Sequence, residues 1–262
     1  MRLIEREAIL LEKLKDFISV QIPEPLYVDI SDDNPHMGYQ KLPGASLTRY
    51  YHIVPAAKRR SIGETAGRFL GELHELNLHE LWVENSDPVF DVEADRNDYR
   101  AVFNRIQKEV YPNLSESQIE WTDVLFHEFL EPDENFDYEP CLTHGDFDTS
   151  NILVNPKTFE VTGIIDFEET RMYDPAADFL FQDGGVDFLA AILGSYTRKT
   201  DEKLPQRMTF RLGRQPFIYI LSGIDFKLER MVSYGYAALD EMIREWNRYS
   251  SVLSESFATL KL

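Results

Sequence analysis

A short stretch near the middle of the chain, residues 141–151, constrains the fold more than any other part of the sequence. It runs into a predicted β-hairpin, whose strands lie at residues 151–154 and 161–165 on either side of a polar turn. Fifteen residues after Asn151 comes Asp166, at the far end of that hairpin. The spacing therefore places an Asp, an Asn and a second Asp on one loop-and-hairpin unit.

These residue types at this spacing suit phosphoryl transfer. In that reaction a carboxylate orients the acceptor hydroxyl and takes its proton, while metal ions bridge and neutralise the triphosphate. Kinase catalytic loops use the pattern His-x-Asp-x-x-x-x-Asn followed by Asp-Phe, which here falls on His144, Asp146, Asn151 and Asp166-Phe167. The alternative is a polar turn in which Asp146 caps the backbone and His144 is a core histidine. The hairpin context favours the catalytic interpretation.

The charge of the chain favours a cationic small-molecule partner. It has 46 acidic and 27 basic residues, a formal net charge of −19, and residues 131–190 hold fifteen of the acidic and two of the basic ones. A nucleic acid or an anionic membrane would gain nothing from that field, whereas a cationic ligand would be attracted. An acidic solvated surface is the alternative explanation. We therefore expect neither nucleic acid nor membrane as a partner.

The rest of the chain is predicted to be a small mixed part followed by a mostly helical body. Residues 3–18 have the apolar spacing of an amphipathic helix, and two short extended pieces follow before Pro43-Gly44. Helical patterns dominate after Pro55, and the Ser61–Glu64 sequence is typical of a capping box. The apolar residues that follow keep helical spacing and predict a buried face: Ile62, Ala66, Phe69, Leu70, Leu73 and Leu76.

The compartment is predicted from two further features. The single cysteine, Cys141, cannot form an internal disulfide, which fits a reducing environment. No apolar run approaches the length of a membrane span. We expect a cytoplasmic protein, either a monomer or a weak dimer.

Four marks distinguish the chain from protein kinases and tie it to one superfamily. Gly145 stands where protein kinases carry Arg, Ile164–Glu168 replaces Asp-Phe-Gly, and Asp174–Phe179 follows closely, while the Phe69–His74 helix is typical of the group. With these marks the sequence resembles the aminoglycoside phosphotransferase and choline kinase superfamily over nearly its whole length. The segments most similar to the aminoglycoside 2″-phosphotransferases are Gln21–Tyr27 and Lys41–Gly44.

This resemblance implies an α+β fold, bilobal and protein-kinase-like. The N-lobe would be partial, a helix with about two strands and a hinge over residues 1–44. Residues 45–262 would form a helical C-lobe with the catalytic loop and metal site. The family begins with a Gly-rich hairpin and a strand whose Lys grips the phosphates, and this sequence starts at the helix that follows them. We therefore expect a truncated N-lobe without that hairpin and Lys.

The resemblance also implies roles for residues of the central motif. Asp146 would be the catalytic base, and Asn151 and Asp166 would hold Mg²⁺. His144 would pack beneath the loop, and Asp178 would hold the backbone amides of the loop. Both of these last roles are structural.

The nucleotide site is implied by position in the same way. The hinge between the lobes would offer backbone groups to the purine of ATP or GTP, and its residues are Tyr39, Gln40, Lys41 and Leu42. A bulky residue at Tyr39 favours GTP. Glu7 matches the glutamate that pairs with the phosphate-binding lysine, although a solvated helix glutamate would look the same.

The acceptor is expected to be an aminoglycoside, a polyamine whose binding site requires several carboxylates. The candidate carboxylates by position are Glu168, Glu169, Asp183, Asp187, Asp225 and Glu229. Each of these carboxylates alone could equally belong to an acidic solvated surface. Choline or another hydroxylated amine would satisfy the same charge argument as an aminoglycoside. Two further hypotheses stay open: a non-catalytic module that binds a cationic ligand, and a poorly folded product whose first helix lacks a sheet over its apolar stripe.

Overall fold

The computed structural model describes residues 3–31, 34–76, 91–181 and 184–259. The chain divides into two compact units. One comprises Met1–Val89, Glu139–Thr200 and Ala258–Leu262, and the other comprises Phe90–Tyr138 and Asp201–Phe257. The predicted lobe boundary after residue 44 lies within the first unit and stays a prediction.

The secondary structure of the described residues consists of helices and short antiparallel sheets, which confirms the α+β class. The helices are α1 (Leu3–Leu14), α2 (Ala56–His74), α3 (Val92–Glu109), α4 (Glu116–Leu130), α5 (Gly185–Leu193), α6 (Leu204–Asp225) and α7 (Glu229–Thr259). The strands are β1 (Pro25–Asp29), β2 (His36–Tyr39), β3 (Ala45–Ser46), β4 (Cys141–Thr143), β5 (Ile152–Val154), β6 (Val161–Ile164) and β7 (Arg171–Tyr173). Short 3₁₀ turns join several of them, including Pro175–Phe179.

The strands form three small antiparallel sheets in the first unit. Their orders are β1-β2, β3-β5-β6 and β4-β7. The predicted hairpin is β5-β6, in which Ile152 pairs with Ile164 and Leu153 with Gly163. Both strands of the hairpin are largely buried, so the loops at their ends are held at fixed positions.

Helix α1 covers its apolar stripe despite being shorter than predicted. Leu10, Leu11 and Leu14 are fully buried, so the expectation of an uncovered first helix is wrong. The chain leaves the helix after Leu14 in a turn that exposes Phe17 and returns Ile18 to the interior. This turn accounts for the difference from the predicted end at residue 18.

Helix α2 begins at Ala56, so the capping box predicted at Ser61–Glu64 is wrong. Residues 56–60 are strong helix formers, and they extend the helix back to Pro55. Ser61 consequently lies inside the helix, where its carbonyl accepts a hydrogen bond from the Thr65 hydroxyl. The predicted apolar face is confirmed, since it is buried from Ile62 to Leu73.

An aromatic core holds the second unit together. The rings of Phe103 and Phe126 stack with centroids 4.5 Å apart, and those of Phe129 and Phe210 stack at 3.7 Å. Burial of each such ring is worth roughly 1.5–3 kcal/mol. None of the helices in the described ranges is both long and apolar enough to cross a membrane.

Candidate active site

The loop between β4 and β5 is anchored by one buried carboxylate. Asp178, in the 3₁₀ turn Pro175–Phe179, has no exposed surface. The backbone amide of His144 donates to its Oδ2 over 2.6 Å, and the amide of Gly145 donates to its Oδ1 over 2.9 Å. These are the two amides that immediately precede Asp146. The predicted role of Asp178 therefore rests on two explicit hydrogen bonds.

Asp178 is held in its charged form. Burial acts to raise the pKa of this carboxyl, but the hydrogen bonds from His74 and from the Gly145 amide outweigh it and leave the pKa below its ordinary value. A buried carboxylate of this kind is stable only while its donors stay in place.

Gly145 is required by the shape of the loop. Its φ is +89°, in the region that L side chains rarely adopt. A Cβ added there would collide with the carbonyl oxygen of Glu169. The loop can therefore approach the segment after β6 closely only with glycine at this position.

The imidazole of His144 lies beneath the loop and is fully buried. Its Nε2 is 3.1 Å from the carbonyl oxygen of Ile165, and because a carbonyl only accepts, Nε2 carries the proton. Its Nδ1 has no hydrogen-bond partner. Burial lowers the pKa of His144, so the ring is neutral. The rings of Phe147 and Phe167 enclose it, at centroid distances of 5.3 and 4.7 Å.

Asn151 clamps Asp146 with its side-chain amide. The Nδ2 of Asn151 donates to the backbone carbonyl of Asp146 over 2.7 Å and lies 3.2 Å from its Oδ2. Since both groups are acceptors, the amide nitrogen must face them, and Oδ1 of Asn151 is left as the candidate ligand atom. Asn151 is almost fully buried, whereas Asp146 is exposed.

The carboxylate of Asp146 has a raised pKa. Burial of its inner face is the largest cause, and the charges of Asp148 and Asp166 add to it, while the hydrogen bond from Asn151 acts in the opposite direction. Asp148 is fixed nearby because its Oδ1 accepts from the backbone amide of Ser150 over 2.6 Å. A raised pKa brings a carboxylate closer to the range in which it exchanges protons.

Asp166 follows β6 in a backbone conformation that is rare for a residue other than glycine. Its φ is +74°, a strain of about 1–2 kcal/mol, although Asp tolerates it better than most. The amide of the preceding Ile165 donates to the Asn151 carbonyl over 3.1 Å, which ties the two predicted metal ligands together through the backbone. The side chain of Asp166 is exposed.

The donor set fits Mg²⁺ as part of a nucleotide complex. A carboxylate and an amide oxygen are hard ligands, and Mg²⁺ usually takes one or two such groups and completes its shell with phosphates and water. No group of three or more His, Cys, Asp or Glu that could hold a metal occurs within the described ranges. Asn151 and Asp166 therefore suit a metal that arrives with phosphate oxygens.

Glu7 and Tyr39 lie close to Asp166. The pKa of Glu7 is raised by burial and by the charges of Asp166 and Glu168, against a hydrogen bond from the Phe167 amide. The pKa of Tyr39 is raised by burial and by the charges of Glu7 and Asp166. The first helix and the end of β2 thus face the predicted metal ligand.

The predicted hinge leads from β2 towards β3 and packs against the hairpin strand β6. Tyr39 ends β2, Gln40 and Lys41 are exposed, and Leu42 is buried with a contact near Gly163 on β6. The next residue, Pro43, accepts a hydrogen bond from the hydroxyl of Thr162 over 2.6 Å.

The candidate acceptor carboxylates lie in different places. In the first unit, Glu168, Glu169 and Asp187 are exposed, and Asp183 lies outside the described residues. In the second unit, Glu229 is exposed at the start of α7. Asp225 pairs with Arg105 over 2.8 Å, which holds its pKa below the ordinary value.

His74 is a site residue to which the sequence gives no role, although it ends the family-typical Phe69–His74 segment. It ends α2, is almost fully buried, and lies with its Nε2 3.0 Å from Oδ2 of Asp178. Its Nδ1 lies 2.7 Å from the hydroxyl of Tyr196. His74 is more than a hundred positions away from both partners along the chain, so no local pattern connects it with Asp178.

Comparison with known proteins gives consistent matches. The sequence model described as "Phosphotransferase enzyme family" matches residues 1–208. The GDP and kanamycin complex of APH(2")-IIia is 25% identical, with a TM-score of 0.77 over 91% of this chain and 81% of that chain. The GDP complex of wild-type aminoglycoside 2'-phosphotransferase-IIIa is 24% identical, with the same TM-score and coverage.

A macrolide phosphotransferase shares the fold as well. The apoenzyme of macrolide 2'-phosphotransferase MphH from Brachybacterium faecium is 21% identical, with a TM-score of 0.65 over 90% of this chain and 80% of that chain. Together these structures confirm the predicted protein-kinase-like α+β fold.

Proposed function

Because the chain belongs to the phosphotransferase enzyme family, we propose that it transfers the γ-phosphate of ATP or GTP to a hydroxyl of an aminoglycoside. The observation that carries this proposal is the clamp of Asn151 on Asp146. It fixes an exposed carboxylate with a raised pKa beside a hard oxygen ligand. In-line phosphoryl transfer needs a base close to a metal ligand, and the side-chain amide of Asn151 holds the base with its nitrogen while its oxygen is the candidate ligand.

In the proposed reaction, Asp146 orients the acceptor hydroxyl and accepts its proton. The hydroxyl oxygen forms a bond to the γ-phosphorus as the bond from that phosphorus to the β–γ bridging oxygen breaks. The nucleoside diphosphate leaves with the electron pair of the broken bond, and the proton leaves Asp146 for solvent. Asp178 keeps the loop still during this step, since the amides before Asp146 are bound to it.

Asn151 and Asp166 would hold Mg²⁺, which when bound neutralises the charge that develops on the phosphate oxygens. Asn151 is already oriented for this task, because its amide nitrogen is used by Asp146. Asp166 is held by its backbone, through the Ile165 carbonyl bound to His144 and the Ile165 amide bound to Asn151.

The donor is proposed to bind along the segment Tyr39–Leu42. Solved relatives carry GDP, and one carries ATP with streptomycin in a ternary complex. Backbone groups of Gln40 and Lys41 would bind the purine edge, and the ring of Tyr39 would border the purine. The bulk of Tyr39 favours GTP over ATP.

The acceptor is proposed to be cationic because of the charge around Asp146. Glu168 and Glu169 are exposed directly after the Asp166 turn, and the whole chain carries −19. Kanamycin occupies one of the similar structures. Asp187 and Asp183, which belong to the same unit, are further candidate ligands for its amines.

The direct test measures phosphorylation of a panel of acceptors with Mg²⁺ and either ATP or GTP. The panel contains kanamycin, gentamicin, choline and a neutral macrolide. We expect a product that has gained one phosphoryl group with kanamycin or gentamicin, and a higher kcat/KM with GTP. Phosphorylation of choline alone would replace the aminoglycoside by another hydroxylated amine. Tight kanamycin binding by calorimetry without any turnover would favour a non-catalytic binding module.

The contribution of the acceptor carboxylates is tested by charge removal at the site and away from it. Glu168→Gln with Glu169→Gln should raise KM for kanamycin about tenfold, the equivalent of one or two charge-assisted contacts. Glu134→Gln, an exposed glutamate in the second unit, is the matched control and should leave KM unchanged. Equal effects of the two changes would contradict a specific acceptor site.

A further inference from the structure

A chain of buried side chains ends at the carboxylate that anchors the catalytic loop. The hydroxyl of Tyr196 is 2.7 Å from Nδ1 of His74, and Nε2 of His74 is 3.0 Å from Oδ2 of Asp178. The relative exposures of Tyr196, His74 and Asp178 are 4%, 2% and 0%. Because water does not reach these hydrogen bonds, a partner that is removed is not replaced by solvent, and each side chain depends on its neighbours for its hydrogen bonds.

Asp178 and Tyr196 hold the two nitrogens of the His74 ring. The carboxylate of Asp178 only accepts, so Nε2 of His74 carries a proton and donates a hydrogen bond to it. The hydroxyl of Tyr196 lies at Nδ1, the other ring nitrogen. Tyr196 thus fixes the ring orientation that Asp178 requires, as partners of a histidine commonly do.

His74 completes the set of donors around Asp178. Oδ2 receives the His144 amide and His74, and Oδ1 receives the Gly145 amide. Without His74, a buried carboxylate would keep only two amide donors. The carboxylate of Asp178 would then rotate or take up a proton. The proton of the resulting O–H group would face the backbone N–H groups from which the carboxylate now accepts. Either change moves the backbone that leads into Asp146.

We propose that His74, oriented by Tyr196, is a positioning residue for the catalytic loop and acts through Asp178. The inference rests on the proposed function, in which Asp146 takes the acceptor proton. His74 itself contacts neither nucleotide nor acceptor in this scheme. Its effect therefore belongs to the chemical step and not to substrate binding.

The kinetic test compares His74→Leu with His74→Gln. Leu fills the space without a donor, whereas the Gln amide can donate to Asp178 and accept from Tyr196. We expect kcat to fall about 10–100-fold in His74→Leu, as for other outer partners of a site, with KM for the nucleotide changed by less than about threefold. His74→Gln should recover kcat to within about threefold of the wild type. Equal losses in both variants, or an unchanged kcat in His74→Leu, would overturn the proposal.

Tyr196→Phe tests the outer link of the chain. The phenyl ring keeps the edge contact with Phe179, whose centroid lies 5.2 Å away, and only the hydroxyl is lost. We expect kcat to fall about 3–10-fold, less than in His74→Leu, since the donor to Asp178 remains but the Tyr196 hydroxyl no longer orients its ring. A Tyr196→Phe loss larger than that of His74→Leu would contradict this order of action.

A second measurement does not depend on turnover. Hydrogen exchange of the backbone amides of His144 and Gly145 reports their bonds to Asp178 directly. At equal global stability, checked by denaturant unfolding, both amides should exchange about tenfold faster in His74→Leu and near the wild-type rate in His74→Gln. Unchanged exchange in His74→Leu refutes the positioning role. Absence of phosphate transfer by the wild type would refute the proposed function instead, and exchange alone would then decide the role of His74.

Discussion

The substitution Asp178→Asn tests how strongly the buried anchor supports the fold. Two oxygens of Asp178 accept three donors: the amides of His144 and Gly145, and Nε2 of His74. Asn fits the same space but offers only one acceptor oxygen. Whichever way the amide is turned, its NH₂ group faces at least one N–H donor.

The size of the effect can be worked from these contacts. The variant loses one or two hydrogen bonds to a charged group, each worth about 1.5–3 kcal/mol, and leaves buried donors without an acceptor. We expect a loss of about 3 kcal/mol in the free energy of unfolding, within the range found when a buried charged partner is removed. For a chain of this length each kcal/mol moves Tm by roughly 2–4 °C, so Tm should fall by roughly 6–12 °C.

Thermal and denaturant unfolding would measure this loss against a matched control. Asp98→Asn removes an exposed aspartate on α3 and should change Tm by less than about 2 °C. Since the pKa of Asp178 is lowered by folding, its contribution is complete above the unfolded pKa of about 4 and disappears as pH falls through the folded value. The difference between the wild type and Asp178→Asn should therefore shrink in acid. Equal Tm values for Asp178→Asn and Asp98→Asn at pH 7 would refute the reasoning.

Two further predictions concern the catalytic loop. Asp148→Asn keeps the acceptor for the Ser150 amide but removes a charge that raises the pKa of Asp146. The acid limb of the pH profile of kcat/KM should therefore move to lower pH, and a shift to higher pH would contradict the assignment of Asp146 as the base. Gly145→Ala should destabilise the protein by more than about 2 kcal/mol, because it combines a positive φ with a collision against Glu169. Gly185→Ala, with φ +70° and open space around the added Cβ, should cost only about 1 kcal/mol in the same unfolding assay.

Local features of the sequence predicted the catalytic hairpin and its flanking motif well. The β5-β6 hairpin and the antiparallel pairing of Ile152 with Ile164 follow from two β-rich runs around a polar turn. The motif from His144 to Asn151 is compact in sequence, so its pattern identifies these residues, although the hydrogen bonds that anchor the loop come from Asp178. The spacing of apolar residues on α2 likewise predicted its buried face.

Features that depend on distant contacts or on competing local signals were not predictable. Residues 56–60 extend α2 past the expected capping box, since five good helix formers outweigh one start signal. The early end of α1 depends on where Ile18 is buried. The bonds from His74 to Asp178 and Tyr196 join residues 104 and 122 positions apart, and only the folded chain brings them together.

The most direct test of the proposed activity is transfer of labelled γ-phosphate to kanamycin by the wild type and by Asp146→Asn. The Asn side chain has the size of the original and leaves the Asn151 bond to the residue 146 carbonyl in place, but it cannot accept the proton. We predict Mg²⁺-dependent transfer by the wild type and a fall in single-turnover rate of about 10²–10⁴-fold in Asp146→Asn, with nucleotide binding retained. Equal transfer rates in the two proteins would contradict the assignment of Asp146 as the base.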